Sequence, residues 1–483
     1  MADNTQLPNG FTGFAFRKPA GGTSAADAIR EREAQRAAHA GQPAPAQTPR
    51  RGGVNGFLTE REAASDAANE VRGAFQYNRD HEEAAAYSAD GETSEGRVEF
   101  DPEKLATIPE KDRRWAWLEI DLNAIRHNAS AVKKMIGSGR HMMAVVKADA
   151  YGHGAVRVAK TALNSGADYL GVATVDEGIK LREGLVNAPI LMLAEPPASA
   201  IPLLLAYKIM PAVYSSEFAI KYAEAADSMG LRAPDQLAIN PGMNRIGVRW
   251  DEVVNFMHQI GFHRALELEG VFTHFATADC PETLDFHIQA KRYIEAVEGL
   301  RAAGINPGIV HCANSAAAIR YPDVRFDMVR LGIGLYGYQP CPETTPLIEL
   351  RPAMSVHARI TDTRLVPMSE GVSYGLNYRS PGSVKICTVP VGYGDGLNEK
   401  LVACHAPVLV GGKRCPLLAC CMDQCFVDVT GVEDAKVGDE ITFFGYDSDG
   451  NFLSSQETAN LIGDDEGCGL TSALMHRVAR VFH

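Results

Sequence analysis

Residues 144–154, AVVKADAYGHG, decide the fold prediction for this chain of 483 residues. The apolar run HMMAVVKA (141–148) predicts a buried strand that ends at Lys147, and a glycine-spaced turn follows. An ammonium group is strongly hydrated, so such a lysine either extends its side chain to water or has a functional role in a site. A desolvated lysine can lose its proton and attack a carbonyl to form a Schiff base. Pyridoxal phosphate chemistry requires a lysine of this kind.

Seven further apolar runs follow, and helix-period segments separate most of them. Together they predict parallel pairing and, over about 200 residues, a (β/α)8 barrel. An open doubly wound sheet is the structural alternative, but no GxGxxG follows the first strand. The eight predicted strands are 141–148, 169–173, 189–194, 209–214, 236–240, 268–275, 308–313 and 326–334.

The rhythm of the chain changes twice, which predicts three regions. Residues 1–110 are rich in Ala, Gly, Pro and charge, so we predict a low-complexity, disordered extension. Residues 111–345 form the predicted α/β barrel, and the strand WAWLEIDL (115–122) is a candidate to pack on the following domain. Residues 346–483 read as short strands between turn signals, which predicts a mostly-β C-terminal domain.

Composition narrows the class of protein. The 47 Lys and Arg against 60 Asp and Glu give a formal net charge of −13, which argues against a nucleic-acid or membrane-surface partner. No run approaches the roughly 20 apolar residues of a membrane span. All ten cysteines lie at or after Cys280 without paired CxxC spacing, so we expect neither a disulfide framework nor a metal site. A cytoplasmic location is therefore expected.

Several polar side chains fall at or just after the carboxyl ends of the predicted strands, where barrel enzymes carry their function. Any one of them alone is more easily explained as structural, because buried histidines and arginines usually satisfy hydrogen bonds. A whole set on one rim favours a site. The set is Lys147, Asn240, His274, His311, Asn314, Ser315 and Arg330.

The motifs taken in order resemble the alanine racemase family, the fold-type III pyridoxal phosphate racemases. AVVKADAYGHG resembles the family's cofactor-lysine signature. Matching stretches run in the family's order over roughly residues 112–483: WLEIDLNAIRHN, PGMNRIG, GVFTHFATAD, HCANSAAAIR, VRLGIGLYG, GVSYGLNY, VPVGYGDG and CMDQCFVDVT. The resemblance implies a pyridoxal 5′-phosphate-dependent isomerase that interconverts L- and D-alanine, supplies D-alanine for cell-wall synthesis and forms a homodimer with shared active sites.

The resemblance also implies roles for individual residues. Lys147 would bind the cofactor aldehyde and act as one base, and Tyr374 would be the second base. The substrate carboxylate would be positioned by Arg245 and the backbone amide of Met422, and Tyr393 would line the same pocket. In the family, Tyr374 and Met422 reach the site from the other subunit. The remaining cofactor-binding residues would be Tyr151, Ser315, Gly332 and Ile333 at the phosphate, and His274, His311 and Arg330 around the ring.

The chemistry supports two bases without reference to the family. Racemisation removes a proton from one face of Cα and returns one to the other, so one base on each face solves the geometry. Lysine and tyrosine have ordinary pKa values near ~10.4 and ~10, so their surroundings, through burial or neighbouring groups, must tune both pKa values toward neutrality. The resemblance places Arg330 against the pyridine nitrogen, where an arginine donates a hydrogen bond and cannot accept the ring proton, which disfavours transamination.

Departures from the family pattern leave the substrate open. Relatives often carry a lysine, frequently carbamylated, followed by an aspartate and a threonine, where Ala238, Asn240 and Pro241 stand here. Either another anion such as chloride replaces that lysine beside Arg245, or Arg245 is freer. His476 stands where many relatives have a tyrosine. The alternatives are a racemase of broader range, acting on serine or lysine, a related decarboxylase, and a non-catalytic pyridoxal phosphate-binding barrel.

Overall fold

The computed structural model describes residues 113–281, 283–464 and 467–483. The predicted disordered extension therefore lies outside the described residues. The described chain starts with strand β1 (Ala116–Ile120) and helix α1 (Leu122–Ile136). Asp121 begins that helix by accepting hydrogen bonds from the backbone N–H groups of Asn123 and Ala124.

The eight predicted barrel strands are all present, which confirms the fold class. They pair in parallel in the order β10-β2-β3-β4-β5-β6-β8-β9. Backbone bonds from Asp327 N to Val310 O (3.1 Å) and from Arg330 N to Ala313 O (2.9 Å) bring the last two strands together. The strands are β2 (His141–Val145), β3 (Tyr169–Val172), β4 (Ile190–Met192), β5 (Ile209–Val213), β6 (Ala233–Asn240), the short β7 (Val248–Arg249) beside β6, β8 (Leu266–Phe272), β9 (Ile309–His311) and β10 (Met328–Leu331).

Helices cover the outside of the barrel, because each presents its apolar stripe to the strands. They are α2 (Ala155–Leu163), α3 (Val175–Glu183), α4 (Ile201–Tyr207), α5 (Ser216–Ser228), α6 (Val253–Ile260), α7 (Leu284–Ala302) and α8 (Ser315–Arg320). A separate cluster of apolar side chains, including Met143, Met210 and Phe272, fills the barrel interior beneath the strand ends. That plug supports the rim from below. None of the described helices combines the length and the apolar character needed to cross a bilayer.

The C-terminal domain is built on a sheet in the order β12-β15-β18-β17-β16-β19-β11-β1-β21. Strand β1 is part of this sheet: Leu118 pairs antiparallel with Val356 of β11 and parallel with Arg480 of β21. The other elements are β11 (Met354–Arg359), β12 (Asp362–Val366), β13 (Gly371–Val372), β14 (Tyr378–Arg379), β15 (Val384–Val389), α9 (Glu399–Ala403), β16 (Pro407–Val410), β17 (Lys413–Cys420), β18 (Cys425–Asp428), β19 (Glu440–Tyr446), β20 (Phe452–Leu453), α10 (Ser455–Asn460), α11 (Cys468–Ser472) and β21 (Ala479–Phe482).

Candidate active site

Lys147 lies at the start of a left-handed turn, not at the end of a strand as predicted. Strand β2 ends at Val145, and the residues from Ala148 to Tyr151 have φ between 52° and 57°. Left-handed backbone costs about 1–2 kcal/mol per non-glycine residue, so surrounding contacts must impose it. The Glu177 carboxylate accepts from Ala148 N (2.6 Å), and Asp149 accepts from Lys180 Nζ (2.7 Å). This strained segment, residues 147–152, is called the lysine turn below. It presents Lys147 in a direction that a regular strand end would not give.

Asp149 is the main anchor of this turn. Its carboxylate caps Ala155 N (3.0 Å) and lies 3.7 Å from Arg480 and 3.8 Å from His476 of the C-terminal domain. Burial opposes ionisation of this carboxyl, but the hydrogen bond from Lys180 and the nearby cations outweigh burial and lower its pKa. The ionised carboxylate thus ties the lysine turn to both domains.

A cavity of about 420 Å³ opens at the carboxyl ends of the barrel strands and collects most of the predicted site. Lys147 lies on its wall, and so do Met243 and Arg245 of the loop that follows β6. The predicted residues that line the cavity are Lys147, Tyr151, Asn240, Arg245, His274, Asn314, Ser315, Arg330, Gly332 and Ile333. His311 is fully buried behind this wall and contacts Arg330.

Arg330 is 3% exposed, and its guanidinium is held by neutral acceptors. Nη2 donates to Thr273 O (2.6 Å) and to His274 Nδ1 (3.3 Å), and Nη1 donates to His311 Nδ1 (3.1 Å). Among the described residues no carboxylate forms an ion pair with it. Burial lowers the pKa of Arg330 to about 10, so it stays a cation at neutral pH. The site therefore offers a fixed positive donor that cannot take up a proton.

The two histidines beside Arg330 are neutral. Burial and the guanidinium charge lower the pKa of both, and Arg245 and Lys147 lower that of His274 further. Because arginine only donates, each Nδ1 must be the acceptor and each proton must sit on Nε2. This arrangement keeps two polar rings beside Arg330 without adding further positive charge to the site.

Ser315, at the first residue of α8, is arranged to bind an anionic oxygen. Its Oγ accepts from Gly332 N (3.0 Å) and Gly334 N (3.3 Å), which leaves the hydroxyl proton to donate elsewhere. A Cβ at Gly332 would lie 3.2 Å from Tyr151 Oη, so glycine keeps the space between the two hydroxyls open. A phosphate group fits this cradle of hydroxyls and a helix start. The residues present fit pyridoxal phosphate: a lysine, a phosphate cradle and a donor for a ring nitrogen surround one cavity.

The loop after β6 carries Arg245 and is braced from within. Asn240 Oδ1 accepts from Gly242 N and Asn244 N (both 3.0 Å), and its Nδ2 donates to Asn244 Oδ1 (3.0 Å). Ala238 is 2% exposed and packs in the barrel interior. Within the described chain, the Arg245 guanidinium makes no hydrogen bond or ion pair. The asparagine brace thus orders the loop backbone but does not hold the arginine side chain.

Three predicted site residues lie away from this cavity, in the C-terminal domain. Tyr374 is 81% exposed, Met422 54% and Tyr393 42%. They lie near one another: Gly394 N donates to Met422 O (2.8 Å), Tyr393 N donates to Cys421 O (3.1 Å), and Ser373 Oγ lies 3.3 Å from Cys421 Sγ. We refer to Tyr374, Tyr393 and Met422 as the exposed triad. One chain alone does not bring the exposed triad to Lys147.

Sequence reasoning missed two residues that shape the site. Glu177 holds the lysine turn, and Gln236 Oε1 lies 2.7 Å from His311 Nε2 inside the barrel. Gln236 could have been found, because period-two alternation along β6 puts it on the same face as Ala238 and Asn240. Glu177 gave no such signal, since an acidic residue in the first turn of a helix is usual.

Comparison with known proteins shows matches to both domains. The alanine racemase N-terminal domain family matches residues 120–340, and the C-terminal domain family matches residues 353–482. An alanine racemase of Desulfovibrio desulfuricans is 40% identical over 351 residues, which are 72% of this chain and 93% of that protein.

Solved structures agree. The alanine racemase of Bacillus anthracis with bound L-Ala-P superposes with a TM-score of 0.72 at 35% identity, over 77% of this chain and 95% of that one. A histidine racemase of Leuconostoc mesenteroides gives a TM-score of 0.68 at 27% identity, over 77% and 98%. The similarity thus spans nearly the full length of each relative.

Proposed function

Since the chain belongs to the alanine racemase family, we propose that Lys147 and Tyr374 exchange the Cα proton of alanine between its two faces. The enzyme is a pyridoxal 5′-phosphate-dependent isomerase that interconverts L- and D-alanine. One observation carries the assignment of residues: Lys147, the Ser315 cradle and Arg330 surround a single cavity at the barrel rim. These are the three parts that the cofactor needs.

When bound, pyridoxal phosphate supplies an electron sink that acidifies the Cα proton of the attached amino acid. Lys147 would hold the cofactor and would act as a base on one face of Cα. Ser315, Tyr151 and the backbone at Gly332 and Ile333 would hold the phosphate. The Arg330 guanidinium would face the ring nitrogen as a hydrogen-bond donor, and its two neutral histidine partners accept hydrogen bonds from it.

Tyr374 is the proposed base for the opposite face, and it has to come from a second copy of the chain. Its side chain is exposed, together with Met422 and Tyr393, on a domain that does not contribute the cavity of its own chain. Exposed large side chains that lie together are typical of protein interfaces. A homodimer in which each exposed triad closes the partner's cavity gives every site one lysine and one tyrosine.

Arg245 and the backbone amide of Met422 are proposed to bind the substrate carboxylate, and Tyr393 lines the same space. Arg245 faces the cavity without an ion pair among the described residues, so its charge is available to an anion. Binding from both subunits would orient the Cα proton between the two bases. Such fixed placement is a large part of what an active site supplies.

A direct experiment tests the lysine. The purified protein is loaded with pyridoxal phosphate, reduced with borohydride and digested, and the labelled peptide is sequenced. We expect the label on Lys147 and racemisation of L-alanine before reduction. Label on another lysine would refute the assignment of Lys147, and absence of D-alanine from the loaded protein would refute the activity.

A mixing experiment tests the shared site. Lys147→Ala and Tyr374→Phe homodimers are each expected to be nearly inactive. After dissociation and random reassociation, about a quarter of the sites should carry both intact bases, because each mixed dimer has one such site. Activity that stays at the level of the single variants would contradict the exchange of Tyr374 between subunits. Self-mixed samples of each variant serve as controls.

A wider substrate range is the second candidate, and the loop after β6 favours it. The Asn240 brace orders the loop backbone, but among the described residues no hydrogen bond or ion pair holds the Arg245 side chain, and a solved relative is named a histidine racemase. A panel of alanine, serine, lysine and histidine, followed by polarimetry at equal enzyme concentration, separates the two. A kcat/KM for alanine far above the others would eliminate the broad reading.

We further propose a cytoplasmic enzyme that supplies D-alanine to cell-wall synthesis. All ten cysteines are free, which fits a reducing compartment. Fractionation of the source cells tests the location. Rescue of a strain that requires D-alanine tests the supply, and a Lys147→Ala variant that also rescues growth would contradict it.

A further inference from the structure

Gln236 is a buried polar residue that does not line the active-site cavity. It lies on β6 inside the barrel, is 0% exposed, and its Oε1 is 2.7 Å from His311 Nε2. Its neighbour across the sheet is Gly270, where a Cβ would lie 3.2 Å from Gln236 Cδ. The barrel therefore leaves room at Gly270 for this amide.

The hydrogen bonds around His311 have only one consistent assignment. Arg330 Nη1 can only donate, so His311 Nδ1 carries the lone pair and Nε2 carries the proton. That proton needs an acceptor, and Gln236 Oε1 is placed to accept it. The opposite tautomer would set N–H against N–H at Arg330 and leave Oε1 without a donor.

This arrangement lowers the stability of the fold, because it leaves one donor of the Gln236 amide unpaired. With Oε1 turned to His311, Gln236 Nε2 is buried and finds no hydrogen-bond partner in the described structure. An orphaned buried donor is unfavourable, and an apolar side chain of the same length would avoid the loss. Stability alone therefore does not explain a glutamine here.

We propose that Gln236 is a positioning residue for the racemase: it holds His311 in the Nε2–H tautomer so that Nδ1 orients Arg330 towards the cavity. The inference rests on the proposed function, in which the guanidinium faces the cofactor ring nitrogen. His274 fixes Nη2 in the same way from the other side. Gln236 thus acts through His311 and Arg330 on the cofactor ring nitrogen, which it does not itself contact.

Two substitutions separate positioning from packing. Gln236→Met keeps the length of the side chain, removes the acceptor and also removes the orphaned donor. Gln236→Glu supplies a carboxylate, which favours a protonated His311 and sets an Nδ1 proton against Arg330. Thr442→Val is the matched control, because it removes one hydrogen-bond partner of another buried histidine, His357 (3.0 Å), in the C-terminal domain.

Three readouts are taken: the tautomer of His311 from ¹⁵N-histidine NMR with and without pyridoxal phosphate, kcat and KM for alanine, and the melting temperature. We expect the Nε2–H tautomer in the wild type. Gln236→Met should keep the melting temperature, lose the fixed tautomer and lower kcat about 10- to 100-fold at nearly constant KM. Gln236→Glu should show a kcat that rises as pH is raised and His311 loses its proton. Thr442→Val should change the melting temperature only.

Unchanged kcat and tautomer in Gln236→Met would overturn the proposal, as would an Nδ1–H tautomer in the wild type. The wild-type result requires no variant to fold. Failure of the proposed function is a different outcome, because a wild type without alanine turnover can still show the predicted tautomer.

Discussion

Gly152→Ala tests how the lysine turn is supported by the C-terminal domain. Gly152 has φ of +85°, and a Cβ there would lie 2.2 Å from the backbone oxygen of Thr471 in α11. The left-handed backbone costs an alanine about 1–2 kcal/mol. Displacement of a backbone carbonyl adds about 1–3 kcal/mol, as for other overpacked sites. We therefore expect a loss of about 2–5 kcal/mol in the free energy of unfolding.

Gly304→Ala is the matched control. Gly304 also has a positive φ, +77°, but a Cβ there meets nothing within 4 Å. Its substitution should cost only the backbone term of about 1–2 kcal/mol. The difference between the two variants isolates the contact with Thr471.

Calorimetric melting of both variants at equal protein concentration gives the comparison, because the stability of the proposed dimer would depend on concentration. Titration with pyridoxal phosphate gives a second readout. We expect weaker cofactor binding only in Gly152→Ala, since the displaced turn carries Lys147. Equal melting temperatures and equal cofactor affinity for the two variants would refute the view that this contact supports the site.

Three further outcomes are expected. Tyr374→Phe should lower racemisation about 10²- to 10⁴-fold, while one enantiomer still exchanges its Cα proton with D₂O. Tyr446→Phe, which changes an exposed tyrosine elsewhere in the domain, is the control and should match the wild type. Exchange of both enantiomers by Tyr374→Phe would contradict the two-base scheme. Arg245→Ala should raise KM for alanine by more than tenfold, as expected for a lost charged hydrogen bond. Arg249→Ala is the control: it loses an exposed ion pair with Asp251 and should leave KM unchanged. Equal KM values for the two variants would remove Arg245 from the substrate site. Stability should fall as pH drops below about 6.5, because the unfolded chain takes up protons on three histidines that stay neutral when folded, with a slope of up to about 4 kcal/mol per pH unit. The three are His153 (pKa about 4), His274 and His311, and burial lowers the pKa of each. A melting temperature that does not change between pH 6.5 and 4.5 would contradict this expectation.

The sequence predicts the barrel well because its strands are continuous apolar runs, buried on both faces. It predicts the rim residues for the same reason: a charged residue within or at the end of such a run is conspicuous, as with Arg330 between Val329 and Leu331. The left-handed turn at Ala148–Tyr151 could not be read from the sequence. Only tertiary contacts make four non-glycine residues adopt it, and local propensity says the opposite.

Partners within the site were harder to predict than the site itself. Gln236 lies within an apolar strand, and its meaning depends on His311, 75 residues away in the chain. The position of Tyr374 relative to Lys147 cannot be derived from one chain, because the exposed triad does not reach its own cavity. That part of the assignment stays a prediction for the mixing experiment.

The place of β1 in the C-terminal sheet has a consequence for how the chain can be divided. β1 lies between β11 and the terminal strand β21, so a fragment that starts near residue 346 would lose the strand that joins β21 to its sheet and would expose the facing edges of both strands. Pairing across more than 230 residues also delays completion of that sheet until both ends of the polypeptide have been synthesised. Excised halves should therefore aggregate, while addition of a peptide spanning residues 113–122 should restore the solubility of the C-terminal half.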